Sequence, residues 1–215
     1  MNSFHPKELV IFDVETTGLS PSYGDRVIEL AALKVALPVN PVDETGRLAY
    51  DIRKIKRVAT FATLIHVPRE ISYGAFAVNG ITSEMLAQAP RPRDVYPDFM
   101  EFIQGCCLVG HNVRFDIKFL RSELDILNLP WIDGALTSID TVKMARSLLP
   151  GLGRYSLWSV SRFLGIDDVQ HHRALADVEL TFKVFMNLLA IAERRDICEI
   201  DSLIELAGKK FMIET

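Results

Sequence analysis

The sequence predicts an α/β fold built on a mixed β-sheet. Two observations carry this. Three β-rich segments come first, at 9–12, 27–37 and 60–67, and from about 107 onward short apolar runs alternate with amphipathic stretches of helical period. Neighbouring early strands suit antiparallel pairing, while strand–helix alternation suits parallel strands with helices over the faces. A third observation is the balance of the 215 residues, 49% hydrophobic and 24% charged, which suits one domain with a sizeable core.

Taken in order, 9–12 is apolar and β-rich and reads as a buried strand; Gly18, Ser20, Pro21 and Gly24 then punctuate a turn. Residues 27–37 form a second strand. Residues 39–57 are polar, contain Arg53, Lys54, Lys56 and Arg57, and read as a long hairpin or insertion; 60–67 is the third strand. Helices are expected at 82–88 and 93–104, with Glu84 and Asp94 near their starts. A short buried strand at 107–110 leads to a helix at 114–127, where Ile117, Leu120, Leu124 and Leu127 make one apolar stripe. A strand at 136–139 ends at Asp140, the N-cap of a helix at 141–149. Helices follow at 156–164, closed by Gly165, and at 174–191, striped by Leu175, Val178, Phe182, Phe185 and Leu189; Trp158 is expected to pack in the core. Residues 196–215 suit a short helix and tail, so the chain reads as one domain, 1–215, with its core at about 8–190.

Several classes are set aside. No apolar run approaches the roughly 20 residues of a membrane helix, and the polar start lacks a signal-peptide apolar stretch, so a cytoplasmic location without membrane contact is expected. Cys106, Cys107 and Cys198 form no scaffold pattern and are expected to be reduced thiols. A net charge of −4 counts against a protein that coats nucleic acid, but not against an enzyme gripping a few nucleotides.

Three segments carry the chemistry. In Phe12-Asp13-Val14-Glu15-Thr16-Thr17-Gly18, Asp13 and Glu15 stand two apart on a strand and so share a face with Leu9 and Ile11. Crowded acids at a buried edge stay ionised only beside a cation, and oxygen-only ligands suit Mg²⁺ or Mn²⁺. The plain alternative is a strand ending in solvated acids. In Gly110-His111-Asn112-Val113-Arg114-Phe115-Asp116, Asp116 opens a helix and leans toward its buried stripe; a simple helix-start acid is the other reading. In His171-His172-Arg173-Ala174-Leu175-Ala176-Asp177, five residues separate His172 from Asp177, about 140° apart on one helix. His172 therefore belongs on the loop entering the helix, where it can swing over the same pocket, while His171 has no such argument and reads as structural or exposed.

Taken together, DxE, then HNxxxD, then HxxxxD resembles the DEDDh exonucleases, the family of the epsilon proofreading subunit of bacterial DNA polymerase III, over roughly residues 8–190. Asn79-Gly80-Ile81-Thr82 and Asp140-Thr141 add to the resemblance. It implies a ribonuclease H-like fold, a five-stranded mixed sheet with helices on both faces. It also implies 3′–5′ cleavage releasing nucleoside monophosphates, with two divalent cations, Mg²⁺ or Mn²⁺. Asp13, Glu15 and Asp177 would hold one ion, with Asp13 bridging to a second supported by Asp116. His172 would be the general base. Thr16, Thr17, Gly18 and Leu19 would line the terminal nucleotide's pocket, with His111, Asn112 and Phe115 as lesser contacts. The implied partner is a single-stranded 3′ end, with DNA ahead of RNA, and a DNA polymerase is a further candidate partner. An RNA exonuclease of the oligoribonuclease or ribonuclease T type, and a non-catalytic binding module, remain the alternatives. The retention of all four acids and His172 argues against the second.

Overall fold

The computed structural model describes residues 8–41, 48–131, 136–166, 172–197 and 199–211. A central sheet takes six strands. Leading from one edge, these are β5 (Lys56–Leu64), β2 (Val27–Ala36), β1 (Glu8–Thr16), β6 (Cys107–Gly110), β7 (Leu136–Asp140) and β8 (Gly208–Phe211). The first three pair antiparallel, β1–β6 and β6–β7 are parallel, and β8 returns antiparallel to β7. The expected five-stranded mixed sheet is thus present, extended by β8 at one edge.

Strand alternation sends the two faces of β1 into separate cores. Leu9 and Ile11 pack with residues of α5 (Thr141–Leu148), α6 (Leu157–Phe163), α7 (Ala174–Glu193) and α8 (Ile200–Ala207). Val10, Phe12 and Val14 face the other way, toward α3 (Pro92–Ile103) and α4 (Arg114–Leu127). On that side Phe99 stacks edge-on against Phe61 at 5.4 Å between ring centres, with Phe12 at 6.3 Å. Truncating such a fully buried ring costs about 3–5 kcal/mol.

Several expectations shift. The strand placed at 60–67 begins at Lys56, so Lys56 and Arg57 belong to the sheet. Within 39–57, β3 (Val39–Pro41) and β4 (Leu48–Tyr50) form a small hairpin, followed by a 3₁₀ turn at Ile52–Lys54; residues 42–47 lie outside the described residues. Of its cations, Arg53 and Lys54 both reach Asp51, and Arg57 pairs with Glu179 of α7. Two short helices occupy 73–86, α1 (Tyr73–Asn79) and α2 (Ser83–Leu86), of which the sequence predicts only the second. Trp158 does not enter the core. It is 45% exposed, and Arg162 stacks on its ring at 5.0 Å. The helical period turns Leu157, Val160 and Ser161 inward and leaves Trp158 outside.

Cys106 and Cys107 are buried free thiols, while Cys198 and His171 lie outside the described residues. Burial pushes the Cys107 thiol far up, which leaves it unreactive. No helix among the described residues is long and apolar enough to cross a membrane.

Candidate active site

The parallel pairing of β1 with β6 ends at Ile11 and Val109, and just beyond it the strand ends carry the acids. Past that pair the edge of β1 has lost its neighbour. The N–H of Val14 is taken instead by Asp116 Oδ1 at 3.2 Å, from the first turn of α4. That bond pins the start of α4 between Asp13 and Glu15. On the other edge, β1 and β2 keep register to Glu15 opposite Glu29, then shift, so that Thr16 faces Val27. A bulge of this kind bends the strand and re-aims the residues beyond it. Here it begins the turn at 17–26.

Asp13 and Glu15 share the face that carries α7, and Asp177, 4% exposed, meets them from that helix. One carboxylate oxygen from each of Asp13, Glu15 and Asp177 lies within 4.8 Å of the others. Burial, and then the charges of Asp116, Glu15, Asp177 and Glu29, hold the Asp13 carboxyl well above the usual range. Glu15 is pushed to about 8 by burial, Asp177 and Glu29, partly offset by a hydrogen bond from Asn79. Asp116 rises to about 8 by burial, against the lowering effect of the Val14 bond. Such a group of acids either takes up protons or gathers around a cation.

His172 sits on the entry to α7 with φ of 47°, its Nδ1 4.0 Å from Asp177 Oδ2 and its side chain 45% exposed. Arg173, the next residue, is the N-cap of α7 and is tied to Glu29, which also accepts the Ala174 N–H at 3.0 Å.

Beside the acids runs a cleft of about 730 Å³, bordered by Glu15, Thr16, Gly18, Leu19, Tyr23, Asn79 and Phe115 among others. The size suits a nucleotide-sized ligand. Four of the expected contact residues therefore come together: Thr16, Gly18, Phe115 and Leu19, the last 85% exposed. The other three do not line it. Thr17 is fully buried, its hydroxyl accepting the Arg26 N–H and its carbonyl the Ser72 N–H, so it holds the turn together. His111 spends both ring nitrogens, Nε2 on the Tyr155 carbonyl and Nδ1 on the Thr141 hydroxyl, each at 2.9 Å, and burial lowers its pKa. Asn112 adopts φ of 67° and gives its N–H to Asp140.

Residues that the sequence reading did not assign to the site also shape it. Asn79 closes α1, donates to the Thr16 carbonyl at 3.4 Å and accepts from Ile81; its signal was the Asn79-Gly80 landmark. Glu29 and Arg173 had none, since nothing local pairs a strand acid with a loop arginine 144 residues away.

The chain is similar to proteins already known. Residues 10–185 match the RNase_T family of exonucleases. The chain is 34% identical over 202 residues to the PolC-type DNA polymerase III of Thermotoga petrophila, covering 94% of this chain but only 13% of that protein. It is 36% identical over 185 residues to the DNA polymerase III subunit epsilon of Rickettsia conorii, covering 84% of this chain and 73% of the subunit. Among solved structures, exonuclease X in complex with 5′ overhanging duplex DNA superposes with a TM-score of 0.60 at 27% identity, over 91% of this chain and 99% of that one. The match over residues 10–185, joined by relatives more than 30% identical, means that the chain belongs to the RNase_T family of exonucleases.

Proposed function

We propose that this chain removes nucleotides from the 3′ ends of DNA by metal-dependent hydrolysis, with His172 as general base. The observation that carries the reading is the convergence of the Asp13, Glu15 and Asp177 carboxylates within 4.8 Å, beside a cleft of nucleotide size. DNA is put ahead of RNA because the relatives are named as DNA polymerases and a structural neighbour holds duplex DNA.

The donor set fits divalent cations. It is all oxygen, and burial, then the neighbouring negative charges, raises the pKa values of Asp13 and Glu15. Asp13, Glu15 and Asp177 would hold one Mg²⁺ or Mn²⁺, and Asp13 with Asp116 a second. Bound there, the ions would activate water and stabilise charge on the leaving oxygen.

The chain's own residues orient and move the proton. With Nδ1 turned toward Asp177, His172 offers Nε2 to the attacking water and takes its proton as the oxygen bonds to phosphorus. The bond from phosphorus to the 3′ oxygen breaks, and that oxygen takes a proton from solvent. The products are a 5′-mononucleotide and a strand one residue shorter with a free 3′-hydroxyl. Thr16, Gly18 and Leu19 border the space for the terminal nucleoside, where Leu19 wedges against the base.

A gel assay on 5′-labelled single-stranded DNA and RNA of one sequence tests the reading, with Mg²⁺, Mn²⁺ or chelator and Asp13→Ala as the control. A metal-dependent ladder shortening from the 3′ end, absent in the variant, is expected, faster on DNA. Faster loss of RNA would reassign the substrate, and no cleavage by the wild type would remove the reading. A polymerase partner is proposed on the relatives' names alone. Faster removal of a mispaired 3′ nucleotide on adding the polymerase would support it.

A further inference from the structure

Another cavity, of about 370 Å³, opens at Arg26, where the 17–26 turn ends. Its border includes Arg26, His66, Pro68, Arg91 and Arg93, and no lining residue is acidic. In a chain of net charge −4, that is a local reversal of sign.

The charges are not all equal. Arg26 is satisfied by Glu123, Nε to Oε1 at 2.8 Å and Nη2 to Oε2 at 2.7 Å, so it builds the wall. His66 gives Nδ1 to the Leu86 carbonyl. Arg91 and Arg93 are exposed, and among the described residues neither meets a carboxylate within ion-pair distance. They also sit where the helix itself disfavours them. Arg91 is the N-cap of the twelve-residue α3 and makes no side-chain cap bond, and Arg93 is in its first turn. Helix starts favour Ser, Asp or Asn as caps and repel cations. Asp94, the acid of that turn, does not line the cavity. Local rules broken together, beside a cavity, mark a place kept for a ligand.

The position identifies the ligand. Asp25 borders the cleft and Arg26, its neighbour, borders the cavity. Likewise Pro68 borders the cavity, while Arg69 reaches back to the Tyr23 carbonyl at 3.1 Å and Asp25 Oδ1 at 3.3 Å. The two spaces therefore adjoin at Asp25–Arg26, and Arg69, next to Pro68, ties the cavity wall to the cleft residues Tyr23 and Asp25. We propose that Arg91 and Arg93 bind a backbone phosphate of the same nucleic acid whose 3′-terminal nucleotide occupies the cleft. This rests on the exonuclease reading for the occupant, but its test does not require turnover.

The test is the double variant Arg91→Gln/Arg93→Gln. Binding of fluorescein-labelled single-stranded DNA is followed by anisotropy with Asp13→Ala added to stop hydrolysis, across a KCl series. The slope of log affinity against log salt should fall by about 0.7 for each phosphate that the variant no longer neutralises. In the otherwise wild-type background, KM for a 20-nucleotide strand should rise about tenfold with kcat unchanged, the effect expected when uniform binding is removed. Turnover of the p-nitrophenyl ester of thymidine 5′-monophosphate, too short to leave the cleft, should stay the same. Unchanged slope and affinity would overturn the proposal. So would lost thermal stabilisation by inorganic phosphate with oligonucleotide affinity intact, which would mark a free-anion site. A wild type that cleaves nothing, with the slope still reduced in the variant, would leave the phosphate site standing and remove the exonuclease reading.

Discussion

Arg173 holds Glu29 across 144 residues of chain with two near-parallel bonds, Nη2 to Oε1 at 2.8 Å and Nε to Oε2 at 3.0 Å. The acid lies opposite Glu15 in the strand register, so the arginine neutralises one of two like charges placed side by side. Because the same carboxylate accepts the first N–H of α7, the pair sets where that helix begins, and with it Asp177 and His172.

Glu29→Gln should therefore act on the site at a distance. The amide keeps an acceptor for Ala174 but loses the charge-assisted pair, which at a half-exposed arginine should cost about 1–2 kcal/mol. Turnover should drop about 10–100-fold, the usual range for a residue that orients ligands without touching substrate. Urea unfolding and steady-state rates check both. A stability loss with full turnover would limit the pair to a structural role.

The raised carboxyl groups give the metal-free protein a pH dependence of definite sign. Glu15 and Asp116 have folded pKa values of about 8, while an unfolded acid titrates near 4. Between those limits the folded state binds more protons than the unfolded one, so stability is present at low pH and falls as pH rises. In chelator, the melting temperature should decline from about pH 5 to about pH 8, and Glu15→Gln should flatten the decline. Mg²⁺ or Mn²⁺ should restore more stability at pH 8 than at pH 5, since a ligand that binds only the folded site stabilises it. A metal-free melting temperature that rises over that range would contradict the assignment.

Much of the fold and site is readable in sequence because it is local. The DxE at a strand end, the stripe of α4 and the long α7 each rest on periodicity within one element, and Asp140 caps α5 as its position suggests, accepting the Val142 N–H. The features that escape depend on partners far along the chain or on weak patterns. The helix α1 leaves Tyr73, Phe76 and Val78 exposed, so it lacks the buried stripe that would announce it. The strand β8, Gly-Lys-Lys-Phe, has no apolar alternation and is defined by its backbone pairing with β7. Trp158 lies outside the core it was expected to join because hydrophobicity alone does not say which side of a helix a residue takes.

Gly18 should tolerate no side chain. A methyl group there would overlap the Asp25 carboxylate, whose Oδ2 already accepts the Ser20 N–H at 3.0 Å while its partner oxygen meets Arg69. Gly18→Ala should force the carboxylate aside and loosen the cleft wall, at about 1–3 kcal/mol for overpacking. KM should rise more than kcat falls, because the acids lie on β1 rather than on the turn. Pairing the change with Asp25→Ala should recover part of the stability, and an additive double variant would show that the clash is relieved elsewhere.

His172→Ala should lower kcat by about 10²–10⁴-fold, the range for loss of a positioned general base. The side chain is half-exposed and its approach to Asp177 is a long 4.0 Å, so the fold should be little affected. The variant should also bind DNA and divalent ions as the wild type does, because the ligand oxygens of Asp13, Glu15 and Asp177 remain in place. Calorimetric Mn²⁺ titration alongside single-turnover rates separates the two effects. Weakened Mn²⁺ binding would make His172 a support for the ion site, whereas unchanged turnover would place the base elsewhere.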